Sequence, residues 1–278
     1  MEQQAAAHGP SHRPAGRSKI YRYVPNAAYQ LSGRFHFTTH ETEDDTMSLI
    51  NEFPQLYFFS STLPETYLPF CADFGPNNIC DVVNFCATVR NVVQTPCLSE
   101  RTIIYYTSTD DKVVTNTVFL LCCYLMLEEG LTPEEAIAKF DCIKGLPVLA
   151  YHDATWHESD FHLSILGCLQ GLEKAMWSGF VDPAKFDIQA YEACYETDNY
   201  DMTKVTPKFV AFATPKSKAD QYTSARLPSD HASVFREMGV TDVVRLSDAG
   251  VYDDDAFVQE GFKHHALEFE DCTCPSAG

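Results

Sequence analysis

The sequence predicts an α/β protein with two lobes joined by a helical connector. Three observations support this prediction. Strand-like and helix-like patterns alternate between residues 33 and 145, and they alternate again from residue 207 onward. Between these segments, Tyr151–Asp201 has the pattern of a long helix followed by a shorter one. The chain has 278 residues, of which 45% are apolar, and this is enough material for two modest cores.

The beginning of the chain has the composition of a disordered tail. Residues 1–32 are poor in aliphatic side chains and hold Gly, Pro, Ala, His and most of the early basic charge. We expect ordered structure to begin near Gly33. The next elements predicted are a strand at 34–39, an acidic loop at 41–45, a turn of helix at 47–52 and a second strand at 56–61.

The rest of the first lobe is predicted to be a strand-loop-helix unit that is flanked by two more helices. Apolar spacing predicts helices at 79–93 and 114–128, and the run at 102–107 between them is typical of a buried strand. Gly130 is expected to end the second helix. Thr132-Pro133-Glu134-Glu135 has the pattern of a capping box and predicts a further helix to about residue 140.

The connector combines an apolar helix with an acidic one. The apolar positions recur at helical spacing and predict one buried face: Phe161, Ile165, Leu169, Leu172 and Met176. Gly179 is the expected C-terminal cap. The second helix, predicted at 187–195, has acidic residues on and after its exposed side: Glu192, Glu196, Asp198 and Asp201. A helical connector with a negative face is a place where a groove for a basic ligand is expected.

The second lobe repeats the alternation of strands and helices. The strands are predicted at 208–213, 241–246 and 264–269. The helices are predicted at 230–238 and 252–260, and each is closed by a glycine.

Charge and cysteine content limit the classes of partner. The net charge of −19 disfavours binding to nucleic acids and anionic membranes and suits a basic peptide, although solubility alone explains it equally well. The chain is too long and too rich in core residues for its eleven cysteines to form a disulfide scaffold, so we expect reduced thiols in an intracellular protein. No signal peptide is recognised, and no apolar run reaches the ~18 residues of a membrane span.

Several colinear segments carry a family resemblance. They are ADFGPNN at 72–78, HDATW at 152–156, LSILGCLQGL at 163–172, PKFVAFATPKSK at 207–218 and VVRLSDAGVYDDD at 243–255. Together they resemble the cell-division-cycle-fourteen family of dual-specificity protein phosphatases, which act late in the cell cycle. The resemblance implies an α/β fold with two tandem dual-specificity-phosphatase-like domains that are joined by a linker helix, the second domain being truncated. The implied parts are a non-catalytic domain at 33–180, an acidic linker at 181–206 and part of a catalytic domain at 207–278.

The resemblance also implies substrates and site residues. The expected substrates are phosphotyrosine proteins and phosphoserine proteins, with a preference for phosphoserine that is followed by proline and then by a basic residue. No cofactor is implied, and the expected location is cytoplasm and nucleus. Asp271 matches the general acid, although Cys272 follows it where the family usually has glycine. Glu192 and Asp201 match positions of an acidic substrate groove, and Glu196 is a shifted replacement for a third carboxylate whose position is held by Tyr195.

The catalytic nucleophile of the family is missing from this sequence. These phosphatases use a cysteine that is followed six positions later by arginine, and the arginine binds the phosphate. At that spacing, the strand-loop-helix unit of the first lobe has Tyr106 and Lys112. None of the eleven cysteines is followed by arginine six positions later. We therefore predict that the chain as written does not hydrolyse phosphate esters.

Three interpretations remain open at this stage. The chain is either the front portion of a phosphatase of this family or a short, non-catalytic module that binds basic, proline-directed phosphosites. A third interpretation is a thiol or metal protein that uses Cys272 and Cys274 with His264 and His265. The histidines and carboxylates between residues 152 and 162 lack a recognised metal-ligand spacing, so we expect no metal.

Overall fold

The computed structural model describes residues 20–69, 72–154, 158–159, 161–195, 200–217, 226–270 and 275. Within these residues the α-helices are α1 (Glu43–Glu52), α2 (Ile79–Gln94), α3 (Asp111–Glu129), α4 (Pro133–Asp141), α5 (Ile165–Trp177), α6 (Ile188–Tyr195), α7 (Pro228–Glu237) and α8 (Asp254–Gln259). The strands are β1 (Tyr21–Arg22), β2 (Tyr29–Ser32), β3 (Phe35–His40), β4 (Leu56–Phe59), β5 (Thr102–Ser108), β6 (Ile143–Lys144), β7 (Tyr151–His152), β8 (His162–Leu163), β9 (Met202–Lys204), β10 (Val210–Phe212), β11 (Asp242–Arg245) and β12 (Lys263–Ala266).

The larger of two separate hydrophobic cores lies around a four-stranded sheet. The strand order is β2-β3-β5-β4, in which β3, β4 and β5 are parallel and β2 is antiparallel to β3. The sheet and helices α2 to α5 contribute its buried side chains, which include Phe37, Phe85, Tyr105 and Leu169. Residues 114–125 of α3 are all buried, including the polar Thr115, Asn116 and Thr117.

The end of α3 and the start of α4 are capped as predicted. Gly130 ends α3 with a φ of 72°, a left-handed conformation that glycine adopts without steric cost. The Thr132 Oγ1 accepts a hydrogen bond from the Glu135 backbone N at 3.2 Å, and the Glu135 carboxylate accepts one from the Thr132 backbone N at 3.0 Å. The predicted capping box is confirmed, and α4 begins at Pro133.

Ordered structure begins earlier in the chain than predicted. The tail was expected to be disordered up to residue 32, and this is wrong for residues 20–32. Tyr21 and Arg22 form a parallel pair with Ile143 and Lys144, and β2 adds an edge to the main sheet. Leu31 is buried in the core. These strands are stabilised by pairing with distant residues, which a local reading of composition does not detect.

The first helix is also longer than predicted. Residues 41–45 were expected to form a loop, but α1 already begins at Glu43. Thr42 caps this helix, since its Oγ1 accepts a hydrogen bond from the Asp45 backbone N at 3.1 Å. The acidic residues of this stretch therefore occupy the first helical turn, where negative charge is favourable.

The connector helix α5 is shorter than the predicted apolar face. Ser164 caps it, so Phe161 precedes the helix and is exposed. Ile165 and Leu169 are buried against the first core, whereas Met176 at the far end is partly exposed. Gly179 has a φ of 71° and ends the helix as predicted.

A second, smaller core lies within residues 200–270. It is built around Phe235 of α7, whose ring centroid lies 5.0 Å from that of Phe212, 5.9 Å from that of Phe262 and 6.0 Å from that of Phe257. β9 and β10 form an antiparallel hairpin, and β11 and β12 form a parallel pair. We name the residues of this core and its strands, 200–217 and 226–270, the second unit.

One face of the β11–β12 pair is apolar and exposed. Val243 and Arg245 of β11 are buried on the side of α7 and α8, whereas Val244 and Leu246 are 42% and 51% exposed. An apolar groove of about 610 Å³ runs along this face and continues to the β9–β10 hairpin. Among the described residues, no helix is both long and apolar enough to cross a membrane.

Candidate substrate-recognition site

Helix α6 contacts α2 and β9, and its Cys194 packs against the second core. Asp187 begins it, since its Oδ1 accepts a hydrogen bond from the Ala190 backbone N at 3.0 Å. The ring of Tyr191 stacks on that of Tyr195, with centroids 5.1 Å apart, and contacts Phe186. Burial, reinforced by the neighbouring Tyr195, raises the pKa of Tyr191 to about 12. The contact of Tyr191 with another element is a hydrogen bond to Thr203 of β9.

Glu192 lies where α6 meets α2. Its side chain is exposed, and its Oε1 is 3.9 Å from the Sγ of Cys80 in the first turn of α2. Burial of the thiol, together with the charges of Glu192 and Asp81, raises the pKa of Cys80 to about 11. The thiol therefore stays protonated at neutral pH, and the carboxylate of Glu192 remains available to a cation from solution.

Asp81 adds a carboxylate from the first turn of α2. It is half-buried, and its Oδ2 accepts hydrogen bonds from Thr66 Oγ1 at 2.7 Å and from Asn77 Nδ2 at 3.1 Å. Sequence reasoning did not select Asp81 because it is 111 positions from Glu192. The sequence does place Asp81 in the first turn of a helix that Asn78 caps. That position indicates where a helix begins and does not indicate a ligand site.

Asp201 lies at the entrance to β9 in an unusual conformation. Its φ is 45°, in the left-handed region that few residues other than glycine, asparagine and aspartate adopt. The backbone is held there because the Asp201 carbonyl accepts a hydrogen bond from the Ala213 backbone N at 3.0 Å. The side chain is exposed. Two of the predicted groove carboxylates, Glu192 and Asp201, are therefore both open to solvent.

Several predicted site residues fall outside the described part of the chain. These are Glu196 and Asp198 of the acidic stretch, the general-acid candidate Asp271, and Cys272 and Cys274. His157 and Asp160 of the histidine-rich segment are also outside it. Among the residues that are described, no group of three or more His, Cys, Asp or Glu side chains is arranged to hold a metal ion.

The strand-loop-helix unit of the first core has no open anion site. The N-cap residue of α3 is Asp110, and its Oδ1 accepts hydrogen bonds from the backbone N of Lys112 and of Val113, each at 3.0 Å. These N–H groups are the donors that bind anions at a helix N-terminus. An internal carboxylate occupies them here, and Asp111 adds a second negative charge.

Tyr106 and Lys112, which have the spacing of the family's Cys and Arg, do not face each other across this loop. Tyr106 lies within β5, and its ring stacks on that of His40 with centroids 5.0 Å apart. Because neighbouring Tyr105 packs against Phe85 of α2, Tyr106 points to the opposite face of the sheet. The Lys112 Nζ lies 5.5 Å from the centroid of the Phe74 ring. The pair forms no phosphate-binding arrangement.

Comparison with known proteins identifies the family to which this chain belongs. A family model described as the N-terminal half of dual specificity protein phosphatases matches residues 30–175, just over half of the chain. The chain belongs to the CDC14 family of dual-specificity phosphatases. It is 33% identical to dual specificity protein phosphatase CDC14A of Mus musculus over 249 residues, a match that covers 88% of this chain and 40% of the relative.

Two further relatives agree with this assignment. Human CDC14A is 34% identical over 223 residues, covering 79% of this chain and 37% of the relative. The tyrosine-protein phosphatase CDC14 of Saccharomyces cerevisiae is 28% identical over 261 residues, covering 91% and 46%. The chain spans less than half the length of these relatives. The predicted family resemblance is confirmed.

Proposed function

We propose that this chain forms the substrate-recognition part of a CDC14-type protein phosphatase that acts on phosphoserine-proline and phosphotyrosine proteins in cell-cycle control. The names of the relatives support the reaction class: they are dual-specificity and tyrosine-protein phosphatases. In this proposal the two cores belong to two tandem dual-specificity-phosphatase-like domains, with α6 in the linker between them. The first domain has no catalytic role, in keeping with the closed helix N-terminus at Asp110.

The observation that carries the proposal is the exposed carboxylate of Glu192 at the junction of α6 with α2. In our proposal Glu192, Asp201 and Glu196 attract the basic residue that follows the phosphosite. Asp81 strengthens the negative potential from the side of α2. At an exposed surface, complementary charge gives selectivity and faster association more than raw affinity.

Asp271 is proposed as the general acid of the complete reaction. Its carboxyl group would protonate the leaving serine or tyrosine oxygen and then help to activate water. The reaction also needs a thiolate nucleophile and a phosphate-binding arginine, and no cysteine of this sequence is followed by arginine at the required spacing. For the 278-residue chain we expect no hydrolysis of p-nitrophenyl phosphate. Turnover comparable to that of a complete phosphatase would contradict the conclusion that this sequence lacks the nucleophile.

A second function is favoured by the same exposed carboxylates. Binding of a basic peptide requires no nucleophile, so the chain is also suited to a non-catalytic role in which it holds basic, proline-directed phosphosites. Titration of the chain with a Ser-Pro-x-Lys phosphopeptide and with its Ser-Pro-x-Ala counterpart tests the recognition that both functions share. We expect tighter binding of the lysine peptide, and a difference that shrinks as salt screens the charges. Equal affinities for the two peptides contradict it.

The proposed locations are the cytoplasm and the nucleus. The eight cysteines among the described residues are all free thiols, and four of them are buried. Free thiols in this number suit a reducing compartment.

A further inference from the structure

The tripeptide Thr-Pro-Lys occurs twice in the second unit. Thr206-Pro207-Lys208 precedes β10, and Thr214-Pro215-Lys216 follows it. Four threonines of the chain precede a proline, and the other two are not followed by lysine: Thr95 is in Thr-Pro-Cys and Thr132 is in Thr-Pro-Glu. The chain therefore holds four threonines that precede proline, two with lysine after the proline and two without.

Thr206 is located at the tip of the β9–β10 hairpin. The backbone N of Val205 and that of Thr206 both donate to the Phe209 carbonyl, at 2.9 and 3.2 Å, and close the turn. The Thr206 Oγ1 accepts hydrogen bonds from the backbone N of Lys208 and of Phe209, each at 3.1 Å. The residues on either side, Val205 and Pro207, are exposed. A projecting hairpin of this kind is accessible to a modifying enzyme, and two N–H donors already point at its hydroxyl oxygen.

The charge around both threonines suits a phosphate group. Residues 202–217 include Lys204, Lys208 and Lys216 and contain no Asp or Glu. This local excess of positive charge stands out in a chain with 39 acidic and 20 basic residues. A phosphothreonine carries a charge of about −1.5 to −2 and is stabilised by nearby ammonium and N–H groups.

Both threonines also lie on the apolar groove described above. Thr206 and Thr214 line it together with Phe209, Leu246 and Leu267, which are 68%, 51% and 60% exposed. A phosphate at this rim would bring a strongly hydrated dianion next to apolar surface.

We propose that Thr206 and Thr214 are phosphorylation sites for a proline-directed serine/threonine kinase, and that phosphorylation places a phosphate dianion at the rim of the groove. The γ-phosphoryl group of ATP is transferred to the threonine Oγ1. The bond between the γ-phosphorus and the bridging oxygen breaks, ADP leaves, and the hydroxyl proton passes to the kinase's base. This inference is independent of the proposed phosphatase function, because here the chain is the substrate of another enzyme.

The test is phosphorylation of the whole chain by a proline-directed kinase with ATP, followed by intact mass measurement and mapping of the modified residues. We expect phosphate at Thr206 and at Thr214. Thr206→Ala removes one of the two phosphates, and Thr206→Ser restores it. Pro207→Ala removes the same phosphate while it leaves the hydroxyl group and its two hydrogen bonds in place, so loss of modification is separated from loss of the hairpin.

Thr95→Ala and Thr132→Ala are the matched controls, and both variants are expected to carry the same two phosphates as the wild type. Phosphate on Thr95 or Thr132 to the same extent as on Thr206 overturns the proposal. Absence of phosphate from both Thr206 and Thr214, in protein that retains its circular dichroism spectrum, also overturns the proposal.

Discussion

Glu192 and Cys80 are separated by 112 positions in the chain, yet their side chains are 3.9 Å apart. The carboxylate of Glu192 helps to keep the Cys80 thiol protonated, because a nearby negative charge disfavours the thiolate. The contact lies where α6 meets α2. It is therefore the residue-scale basis of the proposed recognition site, and its chemistry can be measured without any ligand.

The reactivity of Cys80 reports this contact. Because alkylation requires the thiolate, a thiol with a pKa of about 11 reacts slowly at pH 8. We expect iodoacetamide to modify the exposed Cys97 before Cys80. Glu192→Gln removes a charge that raises the pKa of Cys80, and so it should accelerate labelling of Cys80 as measured by mass spectrometry. Glu173→Gln on the exposed side of α5 is the matched control and should leave the rate unchanged. Equal rates in both variants contradict the placement of α6.

Two buried histidines predict how stability depends on pH. Burial lowers the pKa of His40, whose Nδ1 is 2.7 Å from Thr46 Oγ1, and it also lowers the pKa of His231. Both therefore bind a proton more readily in the unfolded chain, where the ordinary value is 6.5. Their contribution to stability is complete above pH 6.5 and is lost as the pH falls through and below that value.

Urea unfolding at a series of pH values between 7.5 and 5 measures this effect. The free energy of unfolding of the wild type should decrease as the pH falls, and His40→Asn combined with His231→Asn should flatten the dependence. An equally steep dependence in the double variant contradicts the assignment to these two side chains.

At the scale of elements, most helices and strands follow directly from the sequence. The apolar run Thr102–Ser108 and the helix that ends at Gly130 are found where the patterns predict them. The errors have a common cause. Strands β1 and β2 depend on partners that are distant in the chain, and α1 begins in an acidic stretch whose capping residue, Thr42, was not recognised. Local patterns identify elements with their own periodicity, and they miss elements that pairing or capping stabilises.

The N-terminus of α3 provides an element-scale prediction. Asp110→Ala removes the oxygen that accepts hydrogen bonds from Lys112 and Val113, so the free energy of unfolding should fall by about 1 kcal/mol, the usual cost of losing an N-cap. Asp110→Asn retains an acceptor oxygen and should cost less. Urea denaturation measures both variants. If the two substitutions have the same effect, capping is not the function of Asp110.

At the scale of the whole molecule, the two separate cores predict local rather than uniform effects of core substitutions. Phe235→Ala should destabilise the second unit by about 3–5 kcal/mol because it opens a cavity beside three aromatic rings. Hydrogen exchange should then accelerate in β11 and β12 and remain slow in β5. Phe85→Ala, in the first core, is the converse variant and should accelerate exchange in β5. Loss of protection throughout the chain in both variants contradicts two separate cores.

The recognition site shows how far sequence can lead at this scale. The acidity of Glu192 and Asp201 is visible in the sequence, and family resemblance selected both. The neighbouring Asp81 was missed because only the folded chain brings α2 next to α6. The closure of the α3 N-terminus was also missed: the Tyr106–Lys112 spacing indicated that the catalytic groups were absent, but only the geometry shows that Asp110 occupies the anion site.

The central claim is that α6 recognises a basic residue by its charge, and a charge-exchange experiment tests it most directly. Affinities are measured by titration calorimetry for Ser-Pro-x-Lys and Ser-Pro-x-Glu phosphopeptides, with the wild type and Glu192→Lys. The substitution should weaken binding of the lysine peptide about fivefold, as expected for an exposed ion pair that is lost, and strengthen binding of the glutamate peptide. Glu100→Lys, beyond the opposite end of α2, makes the same charge change away from the site. It should leave the affinities for both peptides unchanged. If Glu192→Lys shifts both peptides equally, or no more than Glu100→Lys does, α6 does not read the basic residue.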